Sequence, residues 1–330
     1  MPIPPFTGWT EIVRGFSTTR VLVVGDCMLD RYWYGVVSRV SPEAPVVVVS
    51  KTHAMSAPGG AGNTAANIAA MGGGVILAGV CGHDMAAAEL RAALGACGVA
   101  GVHLIEDPSR PTTLKTRVIA HHQHVVRIDE ESSLPLPTEL QTRLLDAVAQ
   151  YVAGVGVMVI SDYAKGVLTE SCIQGLIARA QACHVPVLID PKARDARRYR
   201  GATLLKPNRG ELSALTGAVI GDHAGTLAAA ARLLDSLPGT SLLVTEGAEG
   251  MTLFRPGSPP ESFSGLARAL YDVTGAGDTV MAAFALALAA SADWTSAAHI
   301  ANHAAARVVE KLGTATCTAG ELLASLGTGE

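Results

Sequence analysis

The sequence predicts an α/β fold, a mostly parallel β-sheet covered by helices on both faces, with a small β-sheet lid. Three observations carry this expectation. Short runs with both faces apolar, such as VLVVGD at 21–26, alternate with helical stretches, the pattern of a parallel sheet buried on both sides. Of the 330 residues 49% are hydrophobic, enough for a large core. Two segments, 31–50 and 112–129, break the rhythm with period-two alternation and prolines, which marks a half-exposed antiparallel layer. One domain over 1–330 is expected, with these two segments as its lid.

The elements follow in order. After the strand at 21–26, NTAANIAAMG (63–72) reads as a helix stopped by glycine. VILAGVCG (75–82) is a strand, and AAAELRAALGACG (86–98) a second glycine-stopped helix. VGVMVISDY (155–163), VPVLIDPK (185–192), TLLKPN (203–208) and SLLVTEG (241–247) are further strands. Between them lie helices at 169–184 and from RGELSALTG onward. An Ala-rich helix follows Asp278, and another spans about 295–311. ESSLPLPT (131–138) reads as a surface connector. Exposed edges in a small lid need covering, so a second subunit is expected there.

Composition narrows the function. A net charge of −4 without a basic stripe argues against nucleic acid. The six cysteines (27, 81, 97, 172, 183 and 317) form no CxxC pair and read as reduced core thiols. The N-terminus MPIPPFTGWTEIVRG has no signal-peptide pattern. No charge-free apolar run reaches the roughly 18 residues of a membrane span. A cytoplasmic protein without a membrane contact is expected.

Parallel sheets place their sites at the carboxyl ends of strands. Here those ends carry Asp26 and Asp30, Asp162 and Lys165, Asp190 and Lys192, Lys206 and Asn208, and Thr245, Glu246 and Gly247. Together they suit a charged, hydroxyl-rich ligand. At the start of the Ala-rich helix, Asp278 follows Gly275-Ala276-Gly277. Asp278 alone could be a helix cap. The glycines, however, leave approachable N–H groups that make an anion site. A carboxylate beside an anion is tolerated where the anion is transferring and the carboxylate is a base.

Other phosphate motifs do not fit. The chain has no Gly-Lys pair for a Walker A loop, no HRD/DFG set and no GxSxG. Gly60-Ala61-Gly62 resembles a dinucleotide fingerprint, but the preceding β-run is expected to end near Ser50, away from the turn. His121, His122 and His124 read as exposed lid residues rather than metal ligands, since only two share a strand face.

GGAGNTAANIA (59–69) and DVTGAGDTVMAAF (272–284) resemble, in order, the two signatures of the PfkB/ribokinase carbohydrate kinases. KPNRGEL (206–212) and VTEGAEGM (244–251) resemble that family's intervening motifs, and the likeness runs over about 20–320. GDCMLDRYWYGVVSRVSPEAPVVVV (25–49), SDYAKGVL (161–168) and DPKARD (190–195) resemble, more closely, its D-glycero-β-D-manno-heptose 7-phosphate 1-kinases. Those enzymes supply ADP-heptose for lipopolysaccharide, and many are fused to a nucleotidyltransferase. The kinase part alone is expected here. His121-His122-Gln123-His124 departs from the Asn and Gln of such relatives.

The resemblance implies a ribokinase-like fold, ATP and Mg²⁺ as cofactors and possible K⁺ dependence; the homodimer joined through the lid is expected from the lid's exposed edges. It implies that Asp278 is the general base for the sugar's C1 hydroxyl, with Gly275, Ala276 and Gly277 as the anion hole. Asp30, Gly59, Gly60 and Asn63 would hold the sugar. Arg117, Arg127, Lys165 and Lys192 would be candidates for its distal phosphate, each with a surface ion pair as the plainer alternative. Asn208 and Glu211 would orient Mg²⁺ through water, or simply start a helix. Thr245 and Gly247 would border the triphosphate, and Asn302 the adenine. Asp272 and Thr274 would hold a monovalent cation. Two alternatives stay open: a kinase of the same fold acting on another sugar, sugar phosphate or nucleoside, and a non-enzymatic sugar- or nucleotide-binding protein.

Overall fold

Strand β1 (Arg20–Gly25) shows how the sequence builds a two-sided sheet. Its Val21 and Val23 join one apolar cluster, while Leu22 and Val24 join another across the sheet. In the computed structural model, which describes residues 8–121, 123–267, 273–311 and 313–327, β1 pairs in parallel with β4 (Gly74–Cys81) and β8 (Val157–Ser161). The sheet is completed by β5 (Gly101–Glu106), β9 (Val187–Asp190), β10 (Leu204–Leu205), β11 (Ser241–Thr245), β12 (Gly250–Phe254) and β13 (Glu261–Ser264). Its order is β13-β12-β11-β10-β9-β8-β1-β4-β5, parallel except for the β11–β12 and β12–β13 pairs at one edge.

Helices cover both faces, as expected. On one side lie α2 (Ala61–Ala70), α3 (Met85–Ala96), α8 (Ala276–Ala289), α9 (Trp294–Val309) and α10 (Ala319–Gly327), with α1 (Gly8–Arg14) beside them. On the other lie α4 (Thr138–Ala149), α5 (Glu170–Ala182), α6 (Arg209–Thr216) and α7 (His223–Ser236). Helix α8 is apolar all round and buried from Asp278 to Ala287. A helix of that kind belongs in the interior, which fixes the position of its N-terminus. The connector at 131–138 is mostly exposed, with Leu136 buried. The six cysteines are all free, four of them buried. No described helix is long and apolar enough to cross a membrane.

The lid is larger than the sequence suggests. It is a four-stranded sheet of β2 (Cys27–Val40), β3 (Val47–Gly60), β6 (Thr113–Ala120) and β7 (Gln123–Glu130), ordered β3-β2-β6-β7. The β2–β3 and β6–β7 pairs are antiparallel, but the central β2–β6 pair is parallel. Two expectations are corrected here. The strand before Gly60 does not end near Ser50; β3 runs through to Gly60 and feeds directly into α2. Its 51–60 stretch carries no hydrophobic signal because residues 51–56 are exposed and held by pairing to β2. The direct connection still makes no dinucleotide turn, because β3 belongs to the lid and not to the parallel sheet.

Candidate active site

Helix α2 lies against α8, and through this contact Asn63 and Thr64 meet Asp278. Asn63 Nδ2 donates to Oδ2 of Asp278 at 2.7 Å, and Thr64 Oγ1 donates to Oδ1 at 3.2 Å. A third donor comes from just beyond β8: the Tyr163 hydroxyl reaches Oδ1 at 2.8 Å. Behind them, Asn67 Nδ2 donates to Asn63 Oδ1 at 3.2 Å and Thr279 Oγ1 donates to Asn67 Oδ1 at 3.0 Å. Burial raises the Asp278 carboxyl above the ordinary carboxylate value, while its donors and the nearby Lys206 oppose the rise.

Asp278 is the third residue of α8 and caps nothing; the N-cap is Gly275, in the left-handed region at φ 79°. A side chain on Gly275 would meet Asn63 Nδ2 at 2.6 Å, so glycine is required by both backbone and space. Of the three backbone donors expected at this turn, one is already engaged. The Ala276 N–H is engaged by Val273 O at 3.2 Å, which leaves, among the described residues, the Gly275 and Gly277 N–H groups on either side. Ala276 thus contributes the turn and not a donor.

Beside Gly277 stands Lys206, at the end of β10. Its ammonium would lie 3.2 Å from a side chain on Gly277. Lys206 is almost fully buried and pairs with Asp190 Oδ1 at 3.1 Å. Burial pushes Asp190 up and Lys206 partly offsets it; Lys206 is itself raised by Asp190 and Glu211 against the opposing effect of burial. A cation, two backbone donors and a carboxylate therefore converge at the start of α8.

A cleft of about 400 Å³ opens from this point. Asn208, Glu211, Thr245, Gly247 and Asn302, all anticipated, line it together with Lys192, Lys206 and Asp190. Asn302 donates through Nδ2 to Ser264 O at 2.8 Å. Asn208 and Glu211 form a reciprocal capping box: Asn208 Oδ1 accepts from the Glu211 N–H and Glu211 Oε2 from the Asn208 N–H, both at 2.9 Å. The plain helix-start reading of this pair is what the structure has. Glu211 Oε1 also accepts from Lys192 Nζ at 2.7 Å.

Asp30 on β2 sits against the glycine turn, with its Oδ2 2.6 Å from where a Gly59 side chain would begin. Three of the four basic candidates lie on or beside the lid: Arg117 stands directly opposite Arg127 across the β6–β7 pair, and Lys165 shares Glu131 with Lys115 of β6. Arg117 pairs with Asp30, Arg127 with Asp129, Lys165 with Glu131 and Lys192 with Glu211. Lys192 lines the cleft that holds Asn208, and Arg117, Arg127 and Lys165 do not. His121 is exposed in the β6–β7 turn and His124 is exposed on β7; His122 and Asp272 lie outside the described residues. No group of three or more potential metal-ligating side chains is found among the described residues.

Sequence reasoning missed Tyr163 and Thr64 altogether, and placed Asp190 and Lys206 only at strand ends. The signal for Lys206 was its position between a strand and the Asn208 cap. A hydroxyl such as Thr64 in an Ala-rich helix gives no such signal.

The profile of the pfkB family carbohydrate kinases matches residues 18–320. The chain belongs to this family and is a carbohydrate kinase. It is 45% identical over 315 residues to the bifunctional protein HldE of Caulobacter vibrioides, and 47% identical over 307 residues to that of Azotobacter vinelandii. These matches cover 95% and 93% of this chain but 65% and 63% of those proteins, so the chain spans less than two thirds of their length. Phosphofructokinase-2 from Escherichia coli in complex with potassium superposes with a TM-score of 0.79 at 20% identity, over 94% of this chain and 99% of that one. Ribokinase from Arabidopsis thaliana, complexed with ribose and ATP, gives 0.74 at 22%, over 93% and 98%. The fold is ribokinase-like.

Proposed function

We propose that the chain transfers the γ-phosphoryl group of ATP to the C1 hydroxyl of D-glycero-β-D-manno-heptose 7-phosphate, giving the 1,7-bisphosphate used toward ADP-heptose. The observation that carries the chemistry is Asp278, buried, hydrogen-bonded and set beside the Gly275–Gly277 donors. Asp278 takes the C1 proton as the sugar oxygen attacks the γ-phosphorus. The bond from that phosphorus to the β–γ bridging oxygen breaks, and ADP leaves. The Gly275 and Gly277 N–H groups and Lys206 face the charge that develops. Asp30, Gly59 and Gly60 hold the sugar, while Thr245, Gly247 and Asn302 border the nucleotide.

Hard oxygen donors line the cleft beside a buried cation, a set that fits a magnesium–nucleotide complex. Glu211 would hold magnesium through water, since both of its carboxylate oxygens have protein donors. Bound there, the ion would neutralise phosphate charge. A monovalent cation at Asp272 and Thr274 completes the proposed cofactors, and potassium is named for the phosphofructokinase-2 structure. A cytoplasmic homodimer joined through the lid is part of the same reading. Its support is the cluster of exposed apolar side chains there, among them Val40, Val47, Met55, Val126 and Ile128.

The heptose assignment rests on the HldE relatives. One observation favours a second reading, an unphosphorylated sugar as acceptor: all four basic candidates are already ion-paired. A coupled ADP-release assay over heptose 7-phosphate, free heptose, ribose and fructose phosphates separates the two. The proposal expects heptose 7-phosphate to have the highest kcat/KM, and equal use of free heptose would overturn it.

A further inference from the structure

Tyr163, half-buried and lining the cleft, brings its phenol to the reacting carboxylate, and the chemistry above gives it no part. Its backbone is gripped from β1: the Tyr163 N–H donates to Asp26 Oδ2 at 2.8 Å, and the Lys165 N–H to the same oxygen at 3.2 Å. The ring passes close to Gly60, whose added side chain would meet Tyr163 Cδ2 at 3.5 Å. The phenol is pushed well above its ordinary range by burial and by Asp278, so it is a neutral donor at any working pH.

A carboxylate offers about four lone-pair sites, two on each oxygen. Oδ1 of Asp278 accepts from both Tyr163 and Thr64 and has its two sites filled. Among the described residues, Oδ2 accepts from Asn63 alone, and it is the oxygen 3.9 Å from where a Gly275 side chain would begin. One oxygen is saturated, and the other keeps a site open beside the anion hole.

Resting on the reading of Asp278 as the base, we propose that Tyr163 is a positioning residue for phosphoryl transfer, its phenol saturating Oδ1 so that Oδ2 takes the substrate proton. Its bond also favours the ionised carboxylate that a base must be before turnover. Other titratable groups around Asp278 are Lys206 from the end of β10 and Asp190 from the end of β9; α2 contributes only the amide and hydroxyl of Asn63 and Thr64.

The test reads Asp278 directly. Carboxyl-carbon NMR titration of the ligand-free protein, with the signal assigned by its loss in Asp278→Asn, is compared between wild type and Tyr163→Phe. A hydrogen bond to a charged group corresponds to about one pH unit, so the midpoint should rise by about that much in Tyr163→Phe. The acid limb of kcat/KM for the best acceptor of the sugar panel should move the same way, with kcat reduced and the KM for ATP unchanged. As a second variant of nearly unchanged size, 3-fluorotyrosine at 163 is a stronger donor and should move the midpoint down. An Asp278 midpoint unmoved by both replacements overturns the inference. Failure of the base reading is seen separately, as near-normal turnover of Asp278→Asn.

Discussion

The hydroxyl of Tyr163 lies 2.8 Å from Oδ1 of Asp278, 115 residues further along the chain. The contact joins the end of β8 to the first turn of α8, with Asn63 and Thr64 of α2 closing on the same carboxylate. Three separate elements thus fix one side chain. The fold makes this possible by ending β1, β8, β9 and β10 at the same edge, where Asp26, Asp162, Asp190 and Lys206 gather.

Lys206 and Asp190 should be costly to separate. Removing one partner of a buried pair leaves the other charge uncompensated, a loss of about 3–5 kcal/mol. Lys206→Met is therefore expected to lower unfolding stability by that order in a urea titration. Lys206→Met combined with Asp190→Asn should recover much of it. A single variant as stable as wild type would show that the pair contributes nothing.

Asp26 should make the protein less stable as pH rises. Burial first, and then neighbouring Asp162, raise its pKa from the ordinary 3.8 to about 6. The folded state therefore binds this proton more tightly than the unfolded chain. Its stabilising contribution is complete below about pH 3.8 and lost as pH rises through about 6. Among the described residues Asp26 Oδ1 is buried without a partner, in keeping with that rise. Asp26→Asn keeps an acceptor for the Tyr163 N–H and cannot ionise. Relative to wild type it should gain stability between pH 4 and 8, reaching on the order of 3 kcal/mol. Melting temperatures across that range check it, and a difference independent of pH would contradict it.

Asn208 has a structural role that can be separated from any role in the cleft. Asn208→Ala should cost about 0.5–2 kcal/mol as a lost N-cap, and Asn208→Ser should restore most of it. If Asn208 also orients magnesium, the serine variant will keep its melting temperature yet show a raised KM for ATP. An unchanged KM would leave the residue as a cap only.

The lid should carry the dimer contact. Val126→Lys with Ile128→Lys places two charges among exposed apolar residues of β7. Light scattering should then show a shift toward monomer with the melting temperature of the body little changed. A wild-type protein that is monomeric at micromolar concentration would contradict the lid interface.

Much of this site was legible because parallel sheets collect polar residues at one edge. Asp278, Asn63, Asn208, Thr245 and Asn302 were all in place in the sequence, and the structure brings them together around one cleft and its carboxylate. Asn63, expected to hold the sugar, also donates to Asp278. Tyr163 was not legible, since one hydroxyl in SDYAKGVL cannot announce a partner 115 residues away. The far half of β3 was hidden because an exposed strand held by pairing needs no apolar pattern. Parallel pairing of β2 with β6 could not be read from alternation, which is the same for both directions. The ion pairs of Arg117, Lys165 and Lys192 depend on long side chains meeting across elements, and spacing carries no trace of that, whereas Arg127 pairs with Asp129 two residues further along the same strand.

The central claim is that Asp278 acts as a base, and Asp278→Asn tests it most directly. The amide keeps the size and the place in the first turn of α8; its N–H₂ faces a donor where an acceptor stood, and losing a buried charge offsets that, so the protein should stay folded with only a modest change in melting temperature. It cannot take the proton, and general-base catalysis typically supplies about 10²–10⁴-fold, so kcat should fall by that order or more. ATP affinity should hold or tighten slightly, because a negative charge beside the γ-phosphate is gone. Measured together, kcat, ATP affinity and melting temperature of this one variant decide the matter: a folded protein that binds ATP but barely turns over is the result predicted, and turnover within a few-fold of wild type would contradict the account.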